Sequence, residues 1–350
     1  MAFWQVRTQS RDSSGITYLN RLQDLTASFY LNRAPEMSGT FNAESGNATL
    51  LGVRPGIDEA LLLRDGQPIE SVFACTGNSV NAGADETSVT VQWQGIASYL
   101  ADGIVLGQST PFSSTTLPWT WINTFQSRTG ASVYAITQGT QTGTPPTRQA
   151  TVEQDAGLLD KIIELAESGN GFDWNIDTAR AYNEWHTERG NDNGLTLEYG
   201  SNVSEYSYDE SVGPGDIVTD VRVIGPPGSP IATASDSTAR TTYGRREISA
   251  TFFADFESAT VSNSQLTAHA TRLAAERTRP LIIPRLKLRT IDGTTHPSVA
   301  WGTYWLGDTI RFKASVGAFG SLDASYRIVA IHIAIDENHN ESVELELNTA

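Results

Sequence analysis

The chain has 350 residues, 39% of them hydrophobic, and its 40 acidic and 24 basic residues give a net charge of −16. This composition indicates a globular protein with two or three domains, and the negative charge disfavours a protein that grips duplex DNA. The single cysteine, Cys75, allows no internal disulfide, and no apolar stretch has the length of a signal peptide or a membrane helix, so we expect folding in a cytoplasm.

Short strands dominate the predicted structure up to about residue 106. Apolar and polar residues alternate through four runs, which is typical of strands with one buried and one wet face: 27–41, 59–66, 70–77 and 88–100. The turn Arg64-Asp65-Gly66 separates two of these runs, and Asp-Gly tolerates the positive φ of a two-residue hairpin turn. Cys75 lies in one of the predicted strands, so we expect it to be buried.

Helical periodicity replaces this alternation in the middle of the chain. Three helices are predicted, the first with a proline in its opening turn: 118–126, 152–168 and 264–278. The Gly/Thr/Pro-rich segment 139–148 predicts a loop, and 225–230 a turn or insertion point. Alternation from Phe172 to Ile176 predicts a further strand.

An antiparallel meander is predicted at the C-terminal end. It opens with the pair Gly307-Asp308 and continues through three alternating runs: 309–313, 326–335 and 342–347. A Gly/Ser-rich turn separates the first two runs, and a hairpin turn from Asp336 to Asn340 separates the last two.

These features resemble, in chain order, the tail hub (baseplate hub) proteins of long-tailed bacteriophages. The strands around Arg64-Asp65-Gly66 with the following 95–100 "GIASYL" are similar to the opening barrel, and Gly307-Asp308 with its meander to the closing barrel. The resemblance implies a mainly β fold with α+β insertions, in which two similar antiparallel β-barrels accompany an inserted α/β unit. It divides the chain as follows: first barrel 1–106, inserted unit 107–194 and 225–300, second barrel 195–224 and 301–350.

The resemblance also implies a function and a set of partners. The chain would be a structural tail-tip hub whose homotrimeric ring joins the hexameric tail tube to the threefold tip and lines the DNA channel. Its partners would be the tail tube or distal tail protein, the tape measure protein, and receptor-binding or tip proteins. DNA would pass through the lumen without specific binding. The protein would be assembled in the host cytoplasm and reside in the virion, without catalytic, cofactor-binding or metal-binding residues.

Motifs of nucleotide and acyl-transfer enzymes are absent from the sequence, which contains no phosphate loop, dinucleotide fingerprint or Gly-x-Ser-x-Gly. Asp173, Asn175, Asp177 and Glu184 imitate the spacing of an EF-hand calcium loop. However, Thr178 stands where that loop requires glycine, and the alternation favours a strand.

Other polar groups suggest chemistry only weakly. His332 and His339 flank one predicted hairpin together with Asp336, but a zinc site needs at least three well-placed ligands. Glu184 and Glu188 have a spacing that suits a glycosidase pair, although a solvated face explains it as well.

Eight tryptophans leave a second function open, because such rings line sugar-binding grooves. A carbohydrate- or receptor-binding tail protein is therefore the alternative hypothesis, and a cell-wall hydrolase a third. Core or interface packing explains most of the tryptophans equally well.

Overall fold

The computed structural model describes most of the chain. The described residues are 2–11, 15–19, 22–42, 53–82, 87–106, 112–145, 148–150, 155–167, 171–207, 210–211, 217–225, 230–251, 263–277, 281–282, 285–315 and 321–349.

Strands make up most of these residues. Those before residue 200 are β1 (Trp4–Ser10), β2 (Thr17–Leu19), β3 (Leu22–Tyr30), β4 (Glu36–Asn42), β5 (Asp58–Arg64), β6 (Gln67–Ala82), β7 (Thr87–Gly95), β8 (Ile104–Val105), β9 (Phe112–Ser114), β10 (Thr137–Thr142), β11 (Arg148–Ala150), β12 (Ala156–Gly157), β13 (Asp173–Ile176), β14 (Ala181–Trp185) and β15 (Asp192–Glu198). Those after it are β16 (Val203–Ser207), β17 (Glu210–Ser211), β18 (Asp220–Ile224), β19 (Ile231–Ser235), β20 (Glu247–Thr251), β21 (Leu281–Ile282), β22 (Arg285–Leu288), β23 (Thr290–Ile291), β24 (Thr294–Thr295), β25 (Thr309–Ser315), β26 (Ser321–Asp336) and β27 (Glu341–Thr349).

The helices are fewer and lie between these strands. The α-helices are α1 (Leu117–Gln126), α2 (Leu158–Ala166), α3 (Ser237–Tyr243) and α4 (Asn263–Arg277), and 3₁₀ turns occupy Ile96–Asp102, Ala131–Tyr134 and Pro297–Val299. No helix in the described part of the chain is both long and apolar enough to cross a membrane.

One large sheet contains thirteen of the strands. Its order is β16-β22-β27-β26-β3-β4-β7-β6-β5-β1-β2, with β25 added to β26 and β15 added to β25. Its pairs are antiparallel except β15 with β25. The long strand β26 joins the two halves of this sheet. β27 pairs along one edge of β26, whereas β25 and then β3 pair along its other edge. A bulge between Ile328 and Ala330 marks the change of neighbour.

Two cores lie on opposite sides of β5. Ala60 and Leu62 point into the main core of the sheet, whereas Leu61 and Leu63 point outward into a second core. That second core contains α1, α2, the 3₁₀ turn after β7, and strands β13 and β14. Because β5 is covered on both sides, it is apolar at successive positions rather than at every second one.

A separate unit consists of β18, β19 and β20 in a three-stranded sheet with α4 on one face. Val221 and Val223 of the central strand pack against Leu266 and Ala270 of α4. Arg272 of α4 donates to the backbone oxygen at the end of α2 at 2.7 Å, which connects this unit to the second core.

Most of the predicted elements are confirmed. Asp65 and Gly66 have φ values of 51° and 78°, as a primed hairpin turn requires. The first helix, the Phe172 strand, the last helix and the C-terminal meander form where predicted. β18 and β19 pair on either side of the predicted turn, and Cys75 is buried. Burial raises the pKa of its thiol to about 11.

Three local predictions need correction. The strand predicted over 88–100 ends at Gly95, and a 3₁₀ turn follows. The segment 139–148 is partly strand, because β10 pairs in parallel with β14. The predicted helix 152–168 begins only at Leu158. Parts of five predictions lie outside the described residues: 146–147 of the loop, 152–154 and 168 of that helix, residue 278 of the last helix, 226–229 of the turn, and 316–320 of the Gly/Ser-rich turn.

The mainly β class with helical insertions is therefore confirmed, but closed barrels are not. Among the described strands, the pairing forms an open path from β16 to β2 and closes neither half. The path includes β22 from the segment 225–300, while β18 belongs to the separate sheet. The division of the chain into domains stays a prediction.

Candidate functional sites: an open sheet face and three buried ionic junctions

Part of the large sheet has one side that is open to solvent. On β3, β4 and β7 the side chains that face away from the core are mostly Thr, Ser and Gln. The register aligns one outward residue from each of seven strands in a single row: Gln94, Glu36, Ser28, His332, Glu344, Lys287 and Glu205. We define the open face as the outward side chains of β3, β4, β7, β16, β22, β27 and β26 from Ala330 onward.

Carboxylates outnumber basic groups on the open face. It carries six carboxylates and two permanent cations: Asp24, Glu36, Glu205, Asp336, Glu344 and Glu346 against Arg285 and Lys287. Arg285 already pairs with Glu346 at 2.8 Å, and Lys287 with Glu205 at 3.3 Å. The surface is therefore polar and negative, and it repels phosphate.

A shallow cavity of about 330 Å³ lies in the open face. Its lining is mostly hydroxyl, amide and carboxylate side chains: Thr26, Ser28, Glu36, Ser38, Thr76, Gln92 and Gln94. Trp93 also borders it but is only 1% exposed, so its ring is not presented for stacking on a sugar.

Next to this cavity, His332 lies between Ser28 and Glu346. Its Nδ1 is 2.8 Å from the Ser28 hydroxyl, and its Nε2 is 3.5 Å from a Glu346 carboxylate oxygen. A hydrolytic triad also needs free donors aimed at the developing oxyanion. Ser28 lies in β3 between two paired strands, where backbone N–H groups are engaged in the ladder. The backbone of β3 around Ser28 therefore supplies no free N–H group to an oxyanion.

The first buried junction is centred on Glu341, at the start of β27, which is 2% exposed. Its carboxylate accepts hydrogen bonds from Arg64 at 3.0 and 3.1 Å, from the Trp4 indole at 3.2 Å and from the Thr295 backbone at 2.9 Å. The Arg64 guanidinium also lies within 5.8 Å of the Trp4 and Trp301 ring centres. This bidentate pair ties β1 and β5 to β27.

The second junction is centred on Glu59 of β5, whose side chain is fully buried. Arg180 donates to its carboxylate, and the Tyr99 hydroxyl donates at 2.9 Å. Arg11 lies 4.0 Å from the same carboxylate and stacks over Tyr99 and Tyr134. Burial raises the pKa of Glu59 although Arg180 opposes the shift. The junction anchors the layer of the second core to the large sheet.

The third junction is centred on Asp173 of β13. Arg327 of β26 and Asn32 donate to its carboxylate from their side chains, and Arg189 donates from its backbone at 2.7 Å. The Arg189 guanidinium pairs in turn with Glu70 of β6 at 2.9 Å. Three separate parts of the fold meet at this point.

The Gly307-Asp308 pair lies beside the third junction. Gly307 has φ of 88°, and a Cβ added there would lie 2.2 Å from the backbone oxygen of Arg189. Glycine is thus required both by the left-handed backbone and by the close crossing of two chain segments. Asp308 then accepts hydrogen bonds from the backbone of Asn191 at 2.8 Å and of Trp305 at 2.7 Å.

The calcium-like spacing does not form a calcium site. Asp173 is engaged by Arg327, Asn175 donates to Glu70, and Asp177 accepts two backbone N–H groups in its own turn. Across the described residues, no group of three or more His, Cys, Asp or Glu is arranged to hold a metal ion.

The members of the other two candidate pairs have different surroundings. Glu184 is 1% exposed and faces His186 at 3.0 Å, whereas Glu188 is exposed. His332 contacts Ser28, while His339 packs against Phe3 with ring centres 5.2 Å apart. Asp336 accepts hydrogen bonds from its own turn.

All eight tryptophans are buried or partly buried, and none is exposed. Trp4, Trp93 and Trp174 are among the largest fully buried side chains. A groove lined by exposed tryptophan rings is therefore not formed by this chain.

Sequence reasoning missed the three junctions. Glu59 did carry a signal, since it is a charged residue beside the apolar run Ala60 to Leu63. Its partner Arg180 is 121 residues away, and Glu341 is 277 residues from Arg64. No local spacing links such pairs.

Comparison with known proteins identifies the fold. No family model matches the chain, and no curated protein matches its sequence. A tail protein from Neisseria meningitidis MC58 superposes with a TM-score of 0.70 at 10% identity, covering 99% of this chain and 96% of that one. The 43 kDa tail protein of prophage MuSo2 from Shewanella oneidensis gives 0.71 at 11% identity, covering 99% and 98%.

A third similar structure is an Escherichia coli component of the type VI secretion system. It is described as structurally similar to the T4 phage tail proteins gp27 and gp5. Its TM-score is 0.53 at 11% identity, covering 98% of this chain and 76% of that one. The chain therefore has the fold of phage tail proteins, and the resemblance to the tail hub family is confirmed for the fold.

Proposed function

We propose that this chain is a structural protein of a phage tail, and that it acts there as the hub at the tail tip. The observation that carries the proposal is the likeness in fold to phage tail proteins over 99% of the chain. The likeness extends over nearly all of this chain and of those tail proteins, so the proposal rests on the fold as a whole and not on one segment of it.

In this proposal the working form is a homotrimer. Each chain contributes two barrel-like halves, 1–106 and 195–224 with 301–350, and the segments 107–194 and 225–300 form an inserted unit. Three copies then present six similar halves, which match a hexameric tail tube without strain. The tube or distal tail protein binds above, the tape measure protein lies within, and receptor-binding or tip proteins attach below.

The open face is the proposed wall of the DNA channel. Each cation that binds a phosphate adds salt-dependent affinity, so a basic wall would hold the duplex. Six carboxylates against two cations, both already paired, instead leave the DNA free to slide. Tails with Glu36→Lys and Glu344→Lys should eject DNA more slowly at low salt than tails with Asp323→Lys, a change outside the open face. Equal ejection rates would contradict the proposal that the open face lines the channel.

The proposal assigns the chain no catalytic role. The polar groups closest to a catalytic arrangement, Ser28 and His332, lie where the backbone N–H groups of β3 are engaged in the sheet. Incubation of the purified chain with peptidoglycan should release no soluble fragments. Release that disappears in the Ser28→Ala or Glu184→Gln variant would contradict this assignment.

Imaging of assembled tails tests the function itself. Purified tail particles bearing a small tag at the chain's C-terminus should show label only at the tip, with three copies per particle. Tails without the chain would contradict any tail role. Six copies in true sixfold symmetry would instead make it a tube or distal tail protein.

A further inference from the structure

The three-stranded unit formed by β18, β19 and β20 has one sheet face that nothing covers among the described residues. α4 packs on the other face, against Val221, Val223 and Ala232. The uncovered face presents residues of the opposite alternation, all of them exposed: Arg222, Ile224, Ile231, Thr233, Ser235, Glu247 and Ser249. We call this the docking face.

The docking face combines an apolar end with a central arginine. Ile224 and Ile231 are direct cross-strand partners, 39% and 47% exposed, at one end. Arg222 occupies the centre of the middle strand, between Thr233 and Ser249. No acidic side chain among the described residues pairs with it. At the far end, Arg240 forms an ion pair with Asp220. Arg245 forms another with Glu247, at 2.5 Å.

The charge of this unit differs from that of the remaining chain. Residues 217–277 contain six arginines and six carboxylates, so the entire net charge of −16 lies on the other residues. Two copies of so acidic a chain repel each other across most of their surfaces. Contact between copies is favoured where a face that is not acidic meets an acidic one.

From this we infer that the docking face binds the acidic surface of a second copy of the same chain, with Arg222 meeting carboxylates and Ile224 with Ile231 covered by apolar side chains. The contact is heterologous, because the docking face of one copy meets a different surface on the next, and such contacts form a ring when the rotation between copies closes. The inference rests on the proposed ring and names the surface that assembles it.

Cross-linking between copies tests the inference. A photoreactive benzoylphenylalanine replaces Thr233 in the full chain, and nitrogen-15-labelled and unlabelled protein are mixed before irradiation. Mixed-isotope cross-links from position 233 to acidic segments outside 217–277 are expected. Arg222→Glu should lower their yield by about tenfold, as loss of a central charge contact at an interface does. Ile231→Asp should act in the same direction.

Arg33→Glu is the matched control. Arg33 is also exposed and without a paired carboxylate among the described residues, and the variant changes the net charge equally. It should leave the yield within about twofold, as surface substitutions away from a contact do. Unchanged urea midpoints verify that each variant folds.

Absence of mixed-isotope links from position 233 at every concentration, or a yield indifferent to Arg222→Glu, overturns the inference. If the chain is present in tail tips but its copies cross-link through another surface, only this inference fails. If tails lack the chain, the proposed function fails with it.

Discussion

The buried junctions and the open face use the same residue types to different effect. At the junctions, Arg64 and Glu341, or Arg327 and Asp173, are removed from water and hold distant strands together. On the open face, Arg285 and Glu346 form a similar pair that remains hydrated. Burial, and not the identity of the residues, decides whether an ion pair organises the fold or only sets the charge of a surface.

The largest expected effect is at Glu341. Glu341→Gln removes the buried counter-charge of Arg64 and leaves it only the exposed Asp65, so the free energy of unfolding should fall by about 3 kcal/mol. Urea denaturation measures the change. Glu344→Gln, on the same strand but on the open face, is the control and should cost less than about 0.5 kcal/mol. Equal losses in the two variants would erase the distinction between junction and open face.

Asp173→Asn should have an intermediate effect. Asparagine keeps an acceptor for the Arg189 backbone but removes the charge that Arg327 pairs with. We expect a loss of about 1–3 kcal/mol, measured by urea denaturation. Asp24→Asn on the open face should change stability by less than about 0.5 kcal/mol. A neutral Asp173→Asn would mean that the junction is held by packing alone.

A smaller effect is expected at the exposed pair. Arg285→Ala should destabilise by no more than about 1 kcal/mol. The difference from wild type should vanish near 1 M salt, where screening acts within about 3 Å. A salt-independent loss would show that Arg285 contributes through packing.

The smallest expected effect depends on pH. A hydrogen bond from Arg311 holds the pKa of the exposed Asp323 below its usual value. The folded-state pKa is lower than the unfolded one, so this stabilisation exists above the ordinary value of 3.8 and is lost as pH falls through the folded pKa. Asp323→Asn should therefore lower the stability slightly at neutral pH, and its difference from wild type should disappear as the pH falls through the folded pKa of Asp323, measured by urea denaturation across a pH series. A difference that persists unchanged at the acidic end of the series would contradict this assignment.

Local patterns account for the elements that were predicted well. The Asp65-Gly66 hairpin and the C-terminal meander each depend on residues adjacent in sequence, and turn chemistry with alternation specifies both. β10 was missed because its Thr and Gln residues are not buried and show no alternation. β10 pairs in parallel with β14, and the chain that connects the two strands passes through the second core. No pattern among neighbouring residues predicts such a pairing.

The candidate sites were harder to predict than the elements. The open face follows from alternation, since the outward residues of predicted strands can be read directly from the sequence. Alternation alone does not predict which of these outward residues remain exposed to solvent. Leu61 and Thr90 both point outward, but only Leu61 is covered, by elements of the segment 107–194. The junctions depend on contacts across more than a hundred residues and carried no spacing signal.

The pairing of β3 with β26 also sets an order of events during synthesis. Ser28 and His332 are in contact although 304 residues separate them. At about 5–20 residues per second, a ribosome needs roughly 15–60 s to supply the second strand after the first. Throughout that interval one edge of β3 has no partner, and unpaired edges invite pairing with other chains. Two nascent chains made side by side can therefore exchange β26 strands, so slow synthesis at low protein concentration favours the correctly closed molecule.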